Sequence, residues 1–98
     1  MAVYLIATLH IHDRDRYKNY EEGFMEIFMK YEGKILSVEE APVTKEGKWD
    51  YTRTVLLEFS SKEKADAWYH SDEYQSLMQH RHAASNGNVV LLNKLALG

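Results

Sequence analysis

Cysteine is absent from this chain, which excludes disulfides, a thiolate nucleophile, and cysteine-ligated zinc or iron–sulfur centres. One proline and five glycines are too few for a disordered or low-complexity chain. Positive charge is also scarce. Twelve Lys and Arg face fifteen Asp and Glu, for a net charge of −3, and no basic run exceeds a residue or two. Nucleic acid rewards a basic stripe with interleaved aromatics, so no nucleic-acid partner is expected. No apolar run reaches the roughly twenty residues that span a bilayer. The opening MAVYLIATLHIHDRD has neither a basic leader nor a small-residue cleavage site. The expectation is a cytoplasmic protein without a membrane partner.

What is present is a balanced globular composition over 98 residues, with 45% hydrophobic and 28% charged side chains. That suits one domain, residues 1–98, with a single modest core. Val3 to Ile11 is rich in β-branched and aromatic residues and reads as a strand. Val3, Leu5, Ala7 and Leu9 share one face; Tyr4, Ile6, Thr8 and His10 share the other. Asp13 suits an N-cap with Asp15 in the first turn. From there Tyr17, Tyr20, Phe24, Ile27, Phe28 and Tyr31 recur at helical spacing, with Gly33 as the expected stop. Lys34 to Ala41 reads as a second strand, Pro42 to Tyr51 as a loop or hairpin connection, and Thr52 to Phe59 as a third strand. Ser60 and Glu63 form a capping-box pattern for a second helix. Ser71 offers a fresh N-cap, so that helix breaks and restarts. Asn86 to Asn88 then turn the chain into a last strand, Val89 to Leu95.

The order βαββαβ predicts an α+β, ferredoxin-like sandwich: a four-stranded antiparallel sheet with the helices on one face. The first and third strands are expected side by side in the middle, running parallel. The uncovered sheet face would carry Tyr4, Ile6, Thr54, Leu56 and either Val89 and Leu91 or their neighbours. That face is too apolar to stay wet, and a homodimer packing sheet against sheet is the simplest cover.

Several segments resemble the domain of unknown function 1330 family. They are EGKW around Trp49, Arg53, VLLEF-S, A-x-x-WY-x-S-x-EYQ, Arg81-x-AA, and the D-x-x-x-Y-x-x-Y of Asp13, Tyr17 and Tyr20. The match covers nearly the whole chain. Asp72 stands where the family pattern has proline after Ser71, and Asp50-Tyr51 where proline usually precedes the arginine. These departures touch turns more than chemistry. The resemblance implies a dimeric α+β barrel and no particular reaction. The wider superfamily holds cofactor-free monooxygenases, muconolactone-isomerase-like proteins and haem-binding proteins, and a fold shared so widely does not supply a function.

Among candidate site residues, His10 and Glu58 have the parity of the helix-free face. Both lie at the carboxyl ends of strands expected to be adjacent and parallel, where a histidine beside a carboxylate can act as a general base. The plain alternative is a polar rim on a dimer interface. Arg81 continues an apolar helical stripe and needs an anionic partner. That partner is either a substrate carboxylate or an Asp or Glu of this chain or its dimer mate. Arg53 has the parity of Val55, Leu57 and Phe59, which aims it at the helices unless a bulge reverses it. Trp49 and Tyr51, on or beside a loop, are candidate walls for a small planar ligand, whereas Trp68 and Tyr74 read as core. His80 and His82 are two apart on a helix and cannot share a metal, and His70 sits at the helix break. No metal site and no cofactor are expected. Two functions therefore stand. One is a small-molecule-binding dimer with cofactor-free isomerase or oxygenase-like activity, taking a partly apolar, carboxylated ligand. The other is a non-catalytic structural or ligand-sensing dimer module.

Overall fold

The computed structural model describes residues 1–96; residues 97 and 98, the end of the expected domain, lie outside the described residues. The elements in chain order are β1 (Val3–Ile11), α1 (Arg14–Phe28), a single 3-10 turn (Met29–Tyr31), β2 (Lys34–Glu39), β3 (Arg53–Phe59), α2 (Lys62–Tyr69), α3 (Asp72–Ala84) and β4 (Ser85–Asn93). The sheet order is β2-β3-β1-β4. This is the predicted ferredoxin-like α+β arrangement, with β1 and β3 in the centre.

One expectation about those central strands is corrected: β1 and β3 pair antiparallel, with Tyr4 opposite Glu58 and Leu9 opposite Arg53. The reason is topological. The α1 crossover brings β2 back in the direction of β1, and the β2–β3 pairing is antiparallel, so β3 must run against β1.

Local chemistry sets the helix ends. The Asp13 side chain accepts from the Arg16 amide, and the Ser71 hydroxyl accepts from the Tyr74 amide, each satisfying an otherwise orphaned donor. The α2 cap is Ser61, which accepts from the Lys64 amide, one residue later than the Ser60 expected. After α1 the left-handed residue is Glu32, at φ 60°, not Gly33. Gly33 is needed for space instead, since a Cβ there would lie 2.4 Å from the Phe28 ring. The Asn86–Asn88 turn expected from sequence is also replaced. Strand β4 begins directly at Ser85, and a Cβ on Gly87 would meet the Thr8 carbonyl oxygen at 2.0 Å. That glycine serves close strand approach and not a turn.

The core lies between the helices and the odd-numbered face of β1. Val3, Leu5, Leu9, Leu57 and Phe59 pack there beneath Tyr17, Tyr20, Phe28, Trp68 and Tyr74. Ring contacts are dense, with Trp68 and Tyr74 centroids 4.1 Å apart and Phe24 and Phe28 4.9 Å apart. On the opposite face Ile6 lies between Leu56 and Val90, and Tyr4 between Glu58 and Leu92. The β4 residues on that face are thus Val90 and Leu92, while Val89 and Leu91 turn to the helices.

Candidate functional site

Across the centre of the helix-facing side of the sheet, the register sets Ala7 between Val55 and Val89. This row is small, while Leu5 and Leu9 on either side of Ala7 are large. The helices rest on the tall neighbours and leave a slot above the short row, a cavity of about 180 Å³. Its sheet wall is aliphatic. Its helix wall is aromatic, formed by Tyr17, Tyr20 and Phe24 of α1 with Trp68 and Tyr74. The slot opens to solvent between α1 and β2, where the lining residues Met25, Ile35 and Val38 keep 45%, 41% and 41% of their surface exposed.

Two cations reach this apolar slot. Arg53, on the helix-facing side of β3 as its parity predicts, places its guanidinium 5.6 Å from the Tyr17 ring centre. It pairs with Glu21 of α1 at 3.3 Å and Glu40 at 3.8 Å. Arg81, on the inward stripe of α3, is only 6% exposed and lies 5.8 Å from the Tyr20 ring centre. Among the described residues no carboxylate comes within ion-pair distance of Arg81.

The hydroxyls of Tyr20 and Tyr74 share a hydrogen bond of 2.6 Å. Burial pushes the pKa of Tyr20 well above the ordinary tyrosine value and raises those of Tyr74 and Tyr17, because a phenolate would be desolvated. These tyrosines are therefore neutral at ordinary pH and supply no counter-charge.

Among the described residues, three buried side-chain nitrogens find no acceptor: Arg53 Nε, Trp68 Nε1 and Arg81 Nε. All three belong to residues that line this one cavity. An unsatisfied buried donor costs about 1–3 kcal/mol, and native structures keep very few.

The other residues singled out from sequence lie elsewhere. His10 is exposed and opposite Asn86, whereas Glu58 is opposite Tyr4. Six strand positions separate them, on the order of 20 Å, so within the chain they form no acid–base pair. The parity was right, and the strand direction separates them. Trp49 and Tyr51 stack edge to face at 5.1 Å but sit over the helix-free face. There the Trp49 indole donates to Thr54 Oγ1 and the Asn88 amide donates to the Tyr51 hydroxyl. They share no site with Arg53 and Arg81. His80 is half-buried and accepts from Arg16 Nε at 2.8 Å, while His70 and His82 are exposed. Among the described residues no group of three or more His, Asp or Glu is placed to hold a metal ion. No helix among them is long and apolar enough to cross a membrane.

Sequence reasoning put Tyr17 and Tyr20 on the apolar stripe of the first helix and assigned Trp68 and Tyr74 to the core. They are core, and they also wall the slot. The signal for it was Ala7, a small residue amid large ones in the opening strand.

The geometry can be set beside known proteins. A protein of unknown function from Rhodopseudomonas palustris superposes with a TM-score of 0.82 at 15% identity, covering 98% of this chain and 84% of that one. A dimeric ferredoxin-like protein of unknown function from Jannaschia sp. CCS1 superposes with a TM-score of 0.69 at 17% identity, covering 96% and 100%. SnoaB, a cofactor-independent oxygenase from Streptomyces nogalater, superposes with a TM-score of 0.64 at 8% identity, covering 98% and 95%. At these identities the likeness is one of fold. No curated protein matches the chain. The sequence pattern described as Domain of unknown function (DUF1330) matches residues 2–95, and the chain belongs to that family.

Proposed function

We propose that this protein is a homodimer that binds a small, partly apolar carboxylated molecule in the slot between its helices and its sheet. The observation that carries the ligand is the coincidence of three orphaned N–H donors, those of Arg53, Trp68 and Arg81, around one cavity. A carboxylate supplies the acceptors and charge that Arg81 lacks, while the aromatic and aliphatic walls take an apolar body. The dimer rests on a second observation. The helix-free face carries Tyr4, Ile6 and Leu56 half-buried, with Val90 and Leu92 at 49% and 47% exposure. Such a contiguous apolar surface suits self-association across a two-fold axis, and several proteins of this fold are described as dimeric.

Any reaction in this slot would be cofactor-free proton transfer at the Tyr20–Tyr74 hydroxyl pair beside Arg81. SnoaB, which has the same fold, is described as a cofactor-independent oxygenase. His10 and Glu58 lie on the other face of the sheet, about six strand positions apart within the chain.

The test is a thermal-shift and calorimetric screen of small carboxylates against the intact protein. A ligand at one hundred times its Kd adds about 2.7 kcal/mol, which moves the Tm of a domain this size by about 10 °C or more. Ala7→Leu, which raises the floor of the slot, should keep the fold and erase the response. A screen in which no carboxylate binds, or in which Ala7→Leu binds as well as the parent, would refute the proposal.

A further inference from the structure

The cavity also specifies the charge and size of its ligand, an inference that rests on the proposed binding function. Where Arg53 lines the cavity it is held by Glu21, also a lining residue, and from outside by the exposed Glu40, which is shared with Arg14 at 3.0 Å. These two arginines and two glutamates sum to zero charge. Deeper in, Arg81 has no carboxylate among the described residues, and the hydroxyls around it belong to tyrosines that burial keeps protonated. The cavity therefore presents one uncompensated positive charge, not two, although two arginines line it.

Volume sets a second limit. An apolar cavity of roughly 150 Å³ accommodates benzene, so about 180 Å³ holds one ring with a small substituent. The layout sets a third. An aliphatic sheet wall facing an aromatic helix wall makes a flat slot, which suits a planar body.

We propose that the ligand is a monoanionic single-ring carboxylate, its carboxylate bound by Arg81 with the Trp68 indole N–H, and that the Glu21–Arg53–Glu40 cluster rejects dianions of the same size. Arg53 Nε, whose charge is already neutralised, donates to a neutral oxygen of the ligand such as a hydroxyl. A second carboxylate would meet Glu21 in the cavity wall and find Arg53 already paired with Glu21 and Glu40, and juxtaposed like charges at a binding site cost several kcal/mol.

Calorimetric titration at neutral pH tests this with benzoate, the hydroxybenzoates and the three benzenedicarboxylates. The parent protein should bind its best monocarboxylate at least about tenfold tighter than any dicarboxylate. The double variant Glu21→Gln/Glu40→Gln alters two exposed side chains and should leave the fold intact. It also uncovers the charge of Arg53, so it should narrow the preference for monocarboxylates by about tenfold, dicarboxylate affinity rising more than monocarboxylate affinity. Equal or tighter binding of a dicarboxylate by the parent would overturn the inference and leave the anion-binding cavity standing. So would a double variant with unchanged preference. Failure of every mono- and dicarboxylate to bind would remove the binding function itself.

Discussion

Replacing Arg81 with methionine is expected to stabilise the free protein while abolishing its response to ligand. Arg81 is 6% exposed, its Nε has no acceptor, and no carboxylate among the described residues pairs with it. Removing an orphaned donor recovers about 1–3 kcal/mol, and exchanging buried ionic groups for apolar ones of similar volume gains up to about 4 kcal/mol in favourable cases. Against this stands the lost cation–π contact with Tyr20 at 5.8 Å, worth about 1–2 kcal/mol when desolvated. The balance for Arg81→Met is a gain of about 1–2 kcal/mol. For a domain of 98 residues each kcal/mol moves Tm by about 4–8 °C, so the variant should melt about 4–16 °C higher without ligand. Saturating carboxylate should then raise the Tm of the parent and leave the variant unmoved. Scanning calorimetry at fixed protein concentration, with and without ligand, reads both effects. A variant that melts several degrees below the parent would refute the reasoning. It would mean that Arg81 is already satisfied in the assembled protein, for example by an acid of the second copy, and that the cavity carries no free charge.

Two further outcomes follow from other parts of the molecule. The raised pKa values of Tyr17, Tyr20 and Tyr74 mean that the unfolded chain loses these protons first. Their stabilising effect is complete below the unfolded pKa of about 10, and stability falls as pH rises beyond it, by up to about 1.4 kcal/mol per pH unit for each tyrosine. Denaturant midpoints followed from pH 8 upward should show this fall, and Tyr20→Phe should flatten it; a profile identical to the parent's would contradict the burial of that hydroxyl. On the helix-free face, Leu56→Lys puts an unpaired charge into the proposed sheet-to-sheet interface. It should weaken the dimer by at least about 100-fold, read by native mass spectrometry across a dilution series, and an unaffected dimer would move the interface to another surface.

The helix stripe of Tyr17, Tyr20, Phe24 and Phe28, the caps at Asp13 and Ser71 and the alternation in β1 were all legible, because each depends on neighbours within a few residues. The same local rules put Arg53 and Arg81 on inward faces before any contact was known. They misplaced Gly33 and Gly87. A glycine required for close packing against Phe28 or the Thr8 carbonyl looks in sequence like one required for a turn. They also paired His10 with Glu58, because parity fixes which face a residue occupies but not the direction of the strand beside it.

By itself, then, the sequence determined the element order, the caps, the side of the sheet each residue faces and the family, all consequences of periodicity and short-range chemistry. Only the tertiary structure decided that β1 and β3 run antiparallel, that Ala7 lies between Val55 and Val89 and so opens a slot, and that Arg81 reaches it without a carboxylate while Arg53 is held by Glu21 and Glu40. These are relations between segments tens of residues apart, set by strand register and helix packing, and no local pattern encodes them.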